Sequence, residues 1–107
     1  LNHISRRRTG ERSRTQGADS PVISGDGNYV AFASLYRNLT FGDINNSQDI
    51  FLWQAQDDIM VNLTIDRDAN SSNPVISQDG SRVAFVSDPT SSINPDRRVA
   101  NVFVWTR

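Results

Sequence analysis

The chain contains the same fifteen-residue pattern twice. Residues 20–34 read SPVISGDGNYVAFAS and residues 73–87 read NPVISQDGSRVAFVS, at a constant offset of 53 positions. A second pair of segments, residues 49–53 and 101–105, follows at an offset of 52. A period near 50 is typical of repeat architectures, in which each unit buries its apolar faces against its neighbours. This repetition constrains the fold more than any other feature of the sequence.

Turn-forming residues and short apolar runs alternate along the chain. Asn, Asp, Ser, Gly and Pro recur about every ten residues, and no stretch keeps the apolar period of an amphipathic helix over three turns. In the first copy we predict a strand at residues 22–24, a turn at 25–27 and a second strand at 28–34. The Asp-Gly pair in each copy indicates a hairpin, because glycine adopts the positive φ that such turns require. The sequence therefore predicts an all-β fold.

Two strands of each copy are apolar at nearly every position. The second strand reads YVAFA at residues 29–33 and RVAFV at 82–86, and the third reads IFLW at 50–53 and VFVW at 102–105. Strands of this kind belong to sheets that are covered on both faces. A fourth strand at residues 59–64, IMVNLT, alternates more and is expected at an outer edge.

The repeated motif also carries a resemblance to a known family. The pattern S/N-P-x-I-S-x-D-G-x-x-V-A-F-x-S occurs in both copies, and N-L-x-x-G-D-x-N-x-x-x-D-I-F-L-W follows the first. Together they resemble the TolB-like β-propeller repeats, a WD-repeat-like family common in bacterial exported proteins. The resemblance implies four-stranded antiparallel blades around a central channel, and a periplasmic or extracellular location in a bacterium. The second copy departs from the pattern, because it lacks the G-D-x-N stretch and has Asn101 where the first has Asp49.

The repeat and this resemblance predict that the chain is a segment of a β-propeller. The register of the repeat divides the segment into three parts. Residues 1–15 are expected to form the outer part of a preceding blade, residues 20–64 a complete blade, and residues 73–107 three strands of a following blade. A propeller ring needs about four blades or more. The remaining blades are expected from a longer parent chain, of which this sequence would be a fragment, or from a homo-oligomer. A third alternative is an open fragment, and we favour the parent chain.

One loop has the spacing of a calcium site. Asp43, Asn45, Ser47 and Asp49 place oxygen-bearing side chains at alternate positions, which lets a chain wrap a cation that prefers six to eight oxygen ligands. The alternative is that Asn and Asp serve as turn formers, bonding to their own backbone. The glycine and the bidentate glutamate of well-known calcium loops are missing here. We name Asp43, Asn45 and Asp49 as the candidate calcium ligands and predict no other cofactor.

No catalytic set can be assembled from the sequence. Ser24 and Ser77 occupy the same repeat position, next to Asp26 and Asp79, so we predict that both pairs shape their turns. His3, the sole histidine, has no paired acid nearby in sequence. Cysteine is absent, which excludes disulfides and thiol nucleophiles. We therefore predict that this segment is not an enzyme.

Charge and hydropathy narrow the classes of partner. The net charge of −1 gives no case for nucleic acid, and the arginines near the amino end have no aromatic residues among them. No apolar run approaches the roughly 18 residues of a membrane span. The expected function is a non-catalytic propeller scaffold that binds a protein, or a surface glycan, in a bacterial envelope or exported protein. The alternative is the lid or specificity propeller of a larger enzyme such as a peptidase, with its active site outside this segment.

Overall fold

A computed structural model describes residues 1, 3–4, 17–35, 48–64, 69–89 and 101–107 of the chain. Within these residues the chain forms strands and no helix, which confirms the all-β prediction. The seven strands are β1 (Ala18–Ile23), β2 (Tyr29–Ser34), β3 (Asp49–Gln54), β4 (Ile59–Asn62), β5 (Ala69–Ile76), β6 (Arg82–Pro89) and β7 (Asn101–Thr106).

The strands form two antiparallel sheets, and within each sheet they are arranged in sequence order. Sheet 1 has the order β1-β2-β3-β4, and sheet 2 has the order β5-β6-β7. The pairing of β2 with β3 runs from Tyr29 opposite Gln54 to Ser34 opposite Asp49. The equivalent pairing of β6 with β7 follows the same register at the repeat offset. Neither sheet closes on itself within the described residues, so the arrangement of these sheets as propeller blades stays a prediction.

The two sheets correspond to two of the three predicted blade segments. Sheet 1 lies within residues 18–62 and sheet 2 within residues 69–106. The predicted outer part of a preceding blade, residues 1–15, lies almost entirely outside the described residues. β1 begins earlier than predicted, at Ala18, and β4 ends two residues earlier, at Asn62.

Both first strands carry a β-bulge that the sequence analysis did not anticipate. The register shifts between Asp19 and Val22 in β1, and at the equivalent place in β5. Ser20 and Asn73, which precede the two prolines, have positive φ values of 54° and 52°. Proline has no N–H to give to a strand ladder, so it is tolerated at a bulge, where pairing is interrupted. The Ser-Pro and Asn-Pro pairs are compatible with this bulge and also with an ordinary strand start, so the sequence does not predict it.

The core lies between the two sheets. One side of sheet 1, which we call its aliphatic face, consists of Val22, Ala31, Ala33, Ile50 and Leu52. It packs on the aromatic face of sheet 2, which consists of Ile76, Val83, Phe85, Phe103 and Trp105. The hydrophobic effect of burying this aliphatic and aromatic surface is the main contribution to the association of the two sheets.

The second sides of the two sheets differ in how they are covered. The outer face of sheet 1 consists of Ile23, Val30, Phe32, Phe51 and Trp53 by strand register. Phe32 and Phe51 are buried and stacked at a centroid distance of 5.7 Å, with Ile4 and Met60 packed on them. In sheet 2, by contrast, Val102 and Val104 are exposed. The prediction that both faces are covered therefore holds around Phe32 and Phe51 in sheet 1. It stays a prediction for sheet 2, where no described residue covers the valines.

Candidate functional site

The turn between β1 and β2 is organised around the Ser24 hydroxyl. Ser24 Oγ donates a hydrogen bond of 2.6 Å to Asp26 Oδ1 and accepts one of 3.1 Å from the backbone N–H of Tyr29. Asp26 Oδ1 also accepts a hydrogen bond from the N–H of Asn28 at 3.0 Å. Gly27 follows with a positive φ of 76°. Both side chains are therefore engaged in closing the turn.

The turn between β5 and β6 repeats this arrangement. Ser77 Oγ donates to Asp79 Oδ1 at 3.1 Å and accepts from the N–H of Arg82 at 3.0 Å. Ser81 donates to Asp79 through both its N–H and its hydroxyl, at 3.0 and 2.7 Å. Gly80 has the positive φ, 72°. The same bonds in two turns favour the interpretation that these serines and aspartates shape hairpins.

The hydrogen bonds also set the charge of the two carboxylates. Bonds from Ser81 and Ser77 lower the pKa of Asp79 to about 2. The pKa of Asp26 is lowered as well, first by the Ser24 hydroxyl and then by the backbone N–H of Asn28. Hydrogen bonds to the charged form have this effect because they stabilise the carboxylate relative to the acid. Both groups are ionised at neutral pH and hold no proton to donate there.

The two turns contact each other at one end of the sheets. The N–H of Asp26 donates to the carbonyl of Gln78 at 3.0 Å. The ring of Tyr29 lies so close to Gly80 that a Cβ atom at this glycine would be 2.1 Å from Tyr29 Cδ2. The Arg107 guanidinium donates to the Tyr29 hydroxyl, and to the Gly80 carbonyl at 2.8 Å, with its central carbon 4.1 Å from the Tyr29 ring centre. These contacts fix the hairpin turns of both sheets in one unit.

Gln48 ties the sheets together at their other end. Its backbone N–H donates to Asn70 Oδ1 at 2.9 Å, and its side-chain amide donates to the Ser71 carbonyl at 3.0 Å. In return, the N–H of Ser71 donates to the Gln48 carbonyl at 2.8 Å. Specific hydrogen bonds therefore supplement the apolar core at both ends of the two sheets.

A buried polar network surrounds Asp49, one of the candidate calcium ligands. Thr64 Oγ1 donates to Asp49 Oδ1 at 2.7 Å, and Asn62 Nδ2 donates to Asp49 Oδ2 at 3.2 Å. Thr64 Oγ1 also accepts from the N–H of Ile50 at 3.2 Å. All three polar side chains are buried. The loop spacing does not predict this network; its only signal in the sequence is the polar residues Asn62 and Thr64 at the end of the predicted fourth strand.

The predicted calcium site is described at only one of its three positions. Asp43 and Asn45 lie outside the described residues, so their distance from Asp49 is not defined. Across the described ranges, no group of three or more His, Cys, Asp or Glu side chains is placed to hold a metal ion. The assignment of Asp43, Asn45 and Asp49 to calcium stays a prediction.

A small pocket opens at the outer face of sheet 1. Its lining consists of Ile4, Ala18, Asp19, Pro21, Val30 and Phe32. This lining is mostly apolar, with a carboxylate at its rim, and it does not bring together a nucleophile and a base. In the part of the chain that the structure describes, no helix has the length and apolar character needed to cross a bilayer.

Comparison with known proteins does not identify a family for this chain. No protein-family model matches the chain, and a search of curated proteins finds no relative. The resemblance to TolB-like repeats therefore depends on the two copies of the Ser-x-Asp-Gly motif and the strands that follow them.

Proposed function

We propose that this chain is a segment of a TolB-like β-propeller and serves as a non-catalytic scaffold that binds a protein partner. The proposed setting is the envelope of a bacterium or a protein that it exports. The proposal combines the sequence resemblance with the hydrogen bonds, packing and connection lengths of the described strands.

The observation that carries the proposal is the repetition of the turn hydrogen bonds. Ser24 with Asp26, and Ser77 with Asp79, make equivalent bonds in the two turns. A catalytic residue is needed once in a site, whereas a residue that shapes a repeated turn is needed in every unit. The groups best suited to chemistry in the described residues are therefore already accounted for by the scaffold.

The packing of the sheets supports the propeller part of the proposal. The aliphatic face of sheet 1 lies on the aromatic face of sheet 2, and hydrogen bonds link the sheets at both ends. Each sheet has its strands in sequence order and antiparallel. Successive blades of a propeller need this arrangement, in which small meander sheets stack face to face.

The lengths of the connections favour partner binding at one end. The turns after β1, β3 and β5 are short, whereas residues 35–48 connect β2 to β3 and residues 90–100 connect β6 to β7. Both long connections join strands at the end opposite the short turns. Long connections on a rigid scaffold are where binding residues concentrate. We therefore place the partner-binding surface at this end.

Site-specific photo-crosslinking in the native bacterium tests this placement. A crosslinking residue is introduced in the full-length protein at Thr40 or Ser92 in the long connections, and at exposed Gln56 in the short β3–β4 turn as the matched control. We expect a discrete protein adduct from the first two positions and none from Gln56. Equal labelling at all three positions would place the partner elsewhere.

Activity measurements separate the scaffold from the enzyme alternative. A reproducible hydrolase activity that maps to residues 1–107 would overturn the non-catalytic proposal. An α/β-hydrolase module with a Gly-x-Ser-x-Gly elbow beside this segment in the parent chain would favour a lid or specificity role instead.

A further inference from the structure

One side of sheet 2 is apolar and open. Val75, Val102 and Val104 are 59%, 73% and 60% exposed, although β5 and β7 both pair with β6. The register places Ala84 opposite Val104 and Val86 opposite Val102 on the same side. We call this surface the open face of sheet 2. These five side chains are apolar, and exposed Arg82 lies on the same side of β6 at the end of the short turns. A contiguous apolar patch of this kind marks an interaction surface.

The repeat identifies what kind of surface fits the open face. Shifted back by 53 or 52 positions, its residues become the members of the aliphatic face of sheet 1, namely Val22, Ala31, Ala33, Ile50 and Leu52. That face is covered in this structure by the aromatic face of sheet 2. The open face of sheet 2 matches the aliphatic face of sheet 1 in the repeat positions of its residues and in the order of its strands. It should therefore be complementary to the same kind of surface. The open face therefore fits the aromatic side of another sheet of this same repeat.

The chain itself carries a second surface of that kind. The outer face of sheet 1, which consists of Ile23, Val30, Phe32, Phe51 and Trp53, is equivalent to Ile76, Val83, Phe85, Phe103 and Trp105 of the aromatic face of sheet 2. We propose that a second copy of this chain docks the outer face of its sheet 1 on the open face of sheet 2. Two different surfaces meet in this contact, so it is a head-to-tail interface and not a twofold one.

The turn contacts are compatible with this docking. Within the chain, the Tyr29 ring covers Gly80. The repeat equivalents are Arg82 and Gly27. Arg82 is exposed, and a Cβ atom at Gly27 would have no atom within 4 Å. The proposed interface thus has open space at Gly27 of one copy where Arg82 of the other would lie.

The docking has an identifiable cost. Ile4 packs on Phe32 and Phe51, so it occupies part of the outer face of sheet 1. A second copy must displace Ile4 before the aromatic rings can reach the open face. The Arg107 contact with Tyr29 has no counterpart either, because the equivalent residue is Ala55. Self-association is therefore expected to be weaker than the packing between the two sheets of one chain, and to depend on concentration.

Sedimentation equilibrium of the purified 107-residue chain tests the proposal. The mass of the wild type is expected to rise with concentration. Val104→Glu on the open face and Ile23→Glu on the outer face should each keep the chain monomeric at concentrations where the wild type associates, because each places a charge in the contact. Leu35→Glu is the matched control, since Leu35 is exposed after the end of β2 and lies on neither face. Circular dichroism melts establish that each variant is folded.

Mixing the two variants distinguishes a head-to-tail contact from a twofold one. Val104→Glu keeps an intact outer face and Ile23→Glu keeps an intact open face, so an equimolar mixture should recover one interface and stop at the dimer. A wild type that stays monomeric up to its solubility limit overturns the proposal. Association that Ile23→Glu leaves unchanged, with no recovery in the mixture, also overturns it, because the open faces would then pair with each other. The proposal takes the homo-oligomer alternative, in which further copies of this chain supply the remaining sheets, and none of these results depends on the partner-binding role proposed above.

Discussion

Replacing Gly80 with alanine measures how closely the two sheets approach. Gly80 combines a positive φ of 72° with the Tyr29 ring lying directly over it. Gly27, its repeat equivalent, has almost the same φ, 76°, and open space where a Cβ would be. The two positions form a matched pair, in which the same substitution causes backbone strain at both sites and a steric clash at only one.

The expected losses of stability follow from these two terms. A non-glycine residue in the left-handed region costs roughly 1–2 kcal/mol, so Gly27→Ala should lower the free energy of unfolding by about that amount. At Gly80, the methyl group would sit 2.1 Å from Tyr29 Cδ2. Overpacking of this kind adds about 1–3 kcal/mol, for a total of roughly 2–5 kcal/mol. The change in unfolded-chain entropy is common to both variants and cancels in their difference.

Urea denaturation of the variants measures these losses, with Tyr29→Ala as a second background. Without the tyrosine ring, Gly80→Ala should cost only as much as Gly27→Ala, so the coupling energy between positions 29 and 80 should be about 1–3 kcal/mol. Equal losses for Gly27→Ala and Gly80→Ala in the wild-type background would refute the close packing of Tyr29 on Gly80. A coupling energy near zero between positions 29 and 80 would also refute this packing.

Three further predictions concern the polar side chains. Thr64→Val should lower the free energy of unfolding in urea by about 2–3 kcal/mol, because it leaves buried Asp49 without the 2.7 Å hydrogen bond. Ionised Asp79 contributes stability above its ordinary pKa of 3.8, and this contribution is lost as the pH falls through about 2, so thermal melts of Asp79→Asn should show a shallower acid limb than the wild type. Millimolar calcium should raise the melting temperature of the wild type and not that of Asp43→Ala, if the calcium prediction is correct.

The strands and hairpins could be predicted because their signals are local. The apolar runs at β2 and β3, bounded by Asp-Gly and by polar segments, indicate strands whatever the remainder of the chain does. The bulge in β1 was missed since a bulge depends on the pairing of two strands, and the Ser20-Pro21 pair alone is compatible with an ordinary strand start. The structure adds the positive φ of Ser20 and Asn73, which no sequence pattern displays.

The surroundings of Asp49 illustrate what local reasoning leaves out. The sequence places it in a series of oxygen-bearing residues that includes Asp43 and Asn45, which suggested a cation. The structure adds Asn62 and Thr64, which lie 13 and 15 positions further along the chain. They reach the carboxylate because β3 and β4 pair in one register, and spacing within the loop contains no information about that pairing.

The sequence by itself determined that the chain forms antiparallel sheets that repeat. In each copy of the repeat, short apolar runs are separated by turn-forming residues, and this pattern is compatible with strands joined by hairpins and not with helices. Only the tertiary structure decided which side of each sheet is covered. The central residues of β2, β3 and β6 form unbroken apolar runs, at 29–33, 50–53 and 83–86, so periodicity cannot distinguish the two sides of these strands. Burial depends on how one sheet is oriented against the next, and that orientation is set by contacts distant in sequence, such as Arg107 with Tyr29.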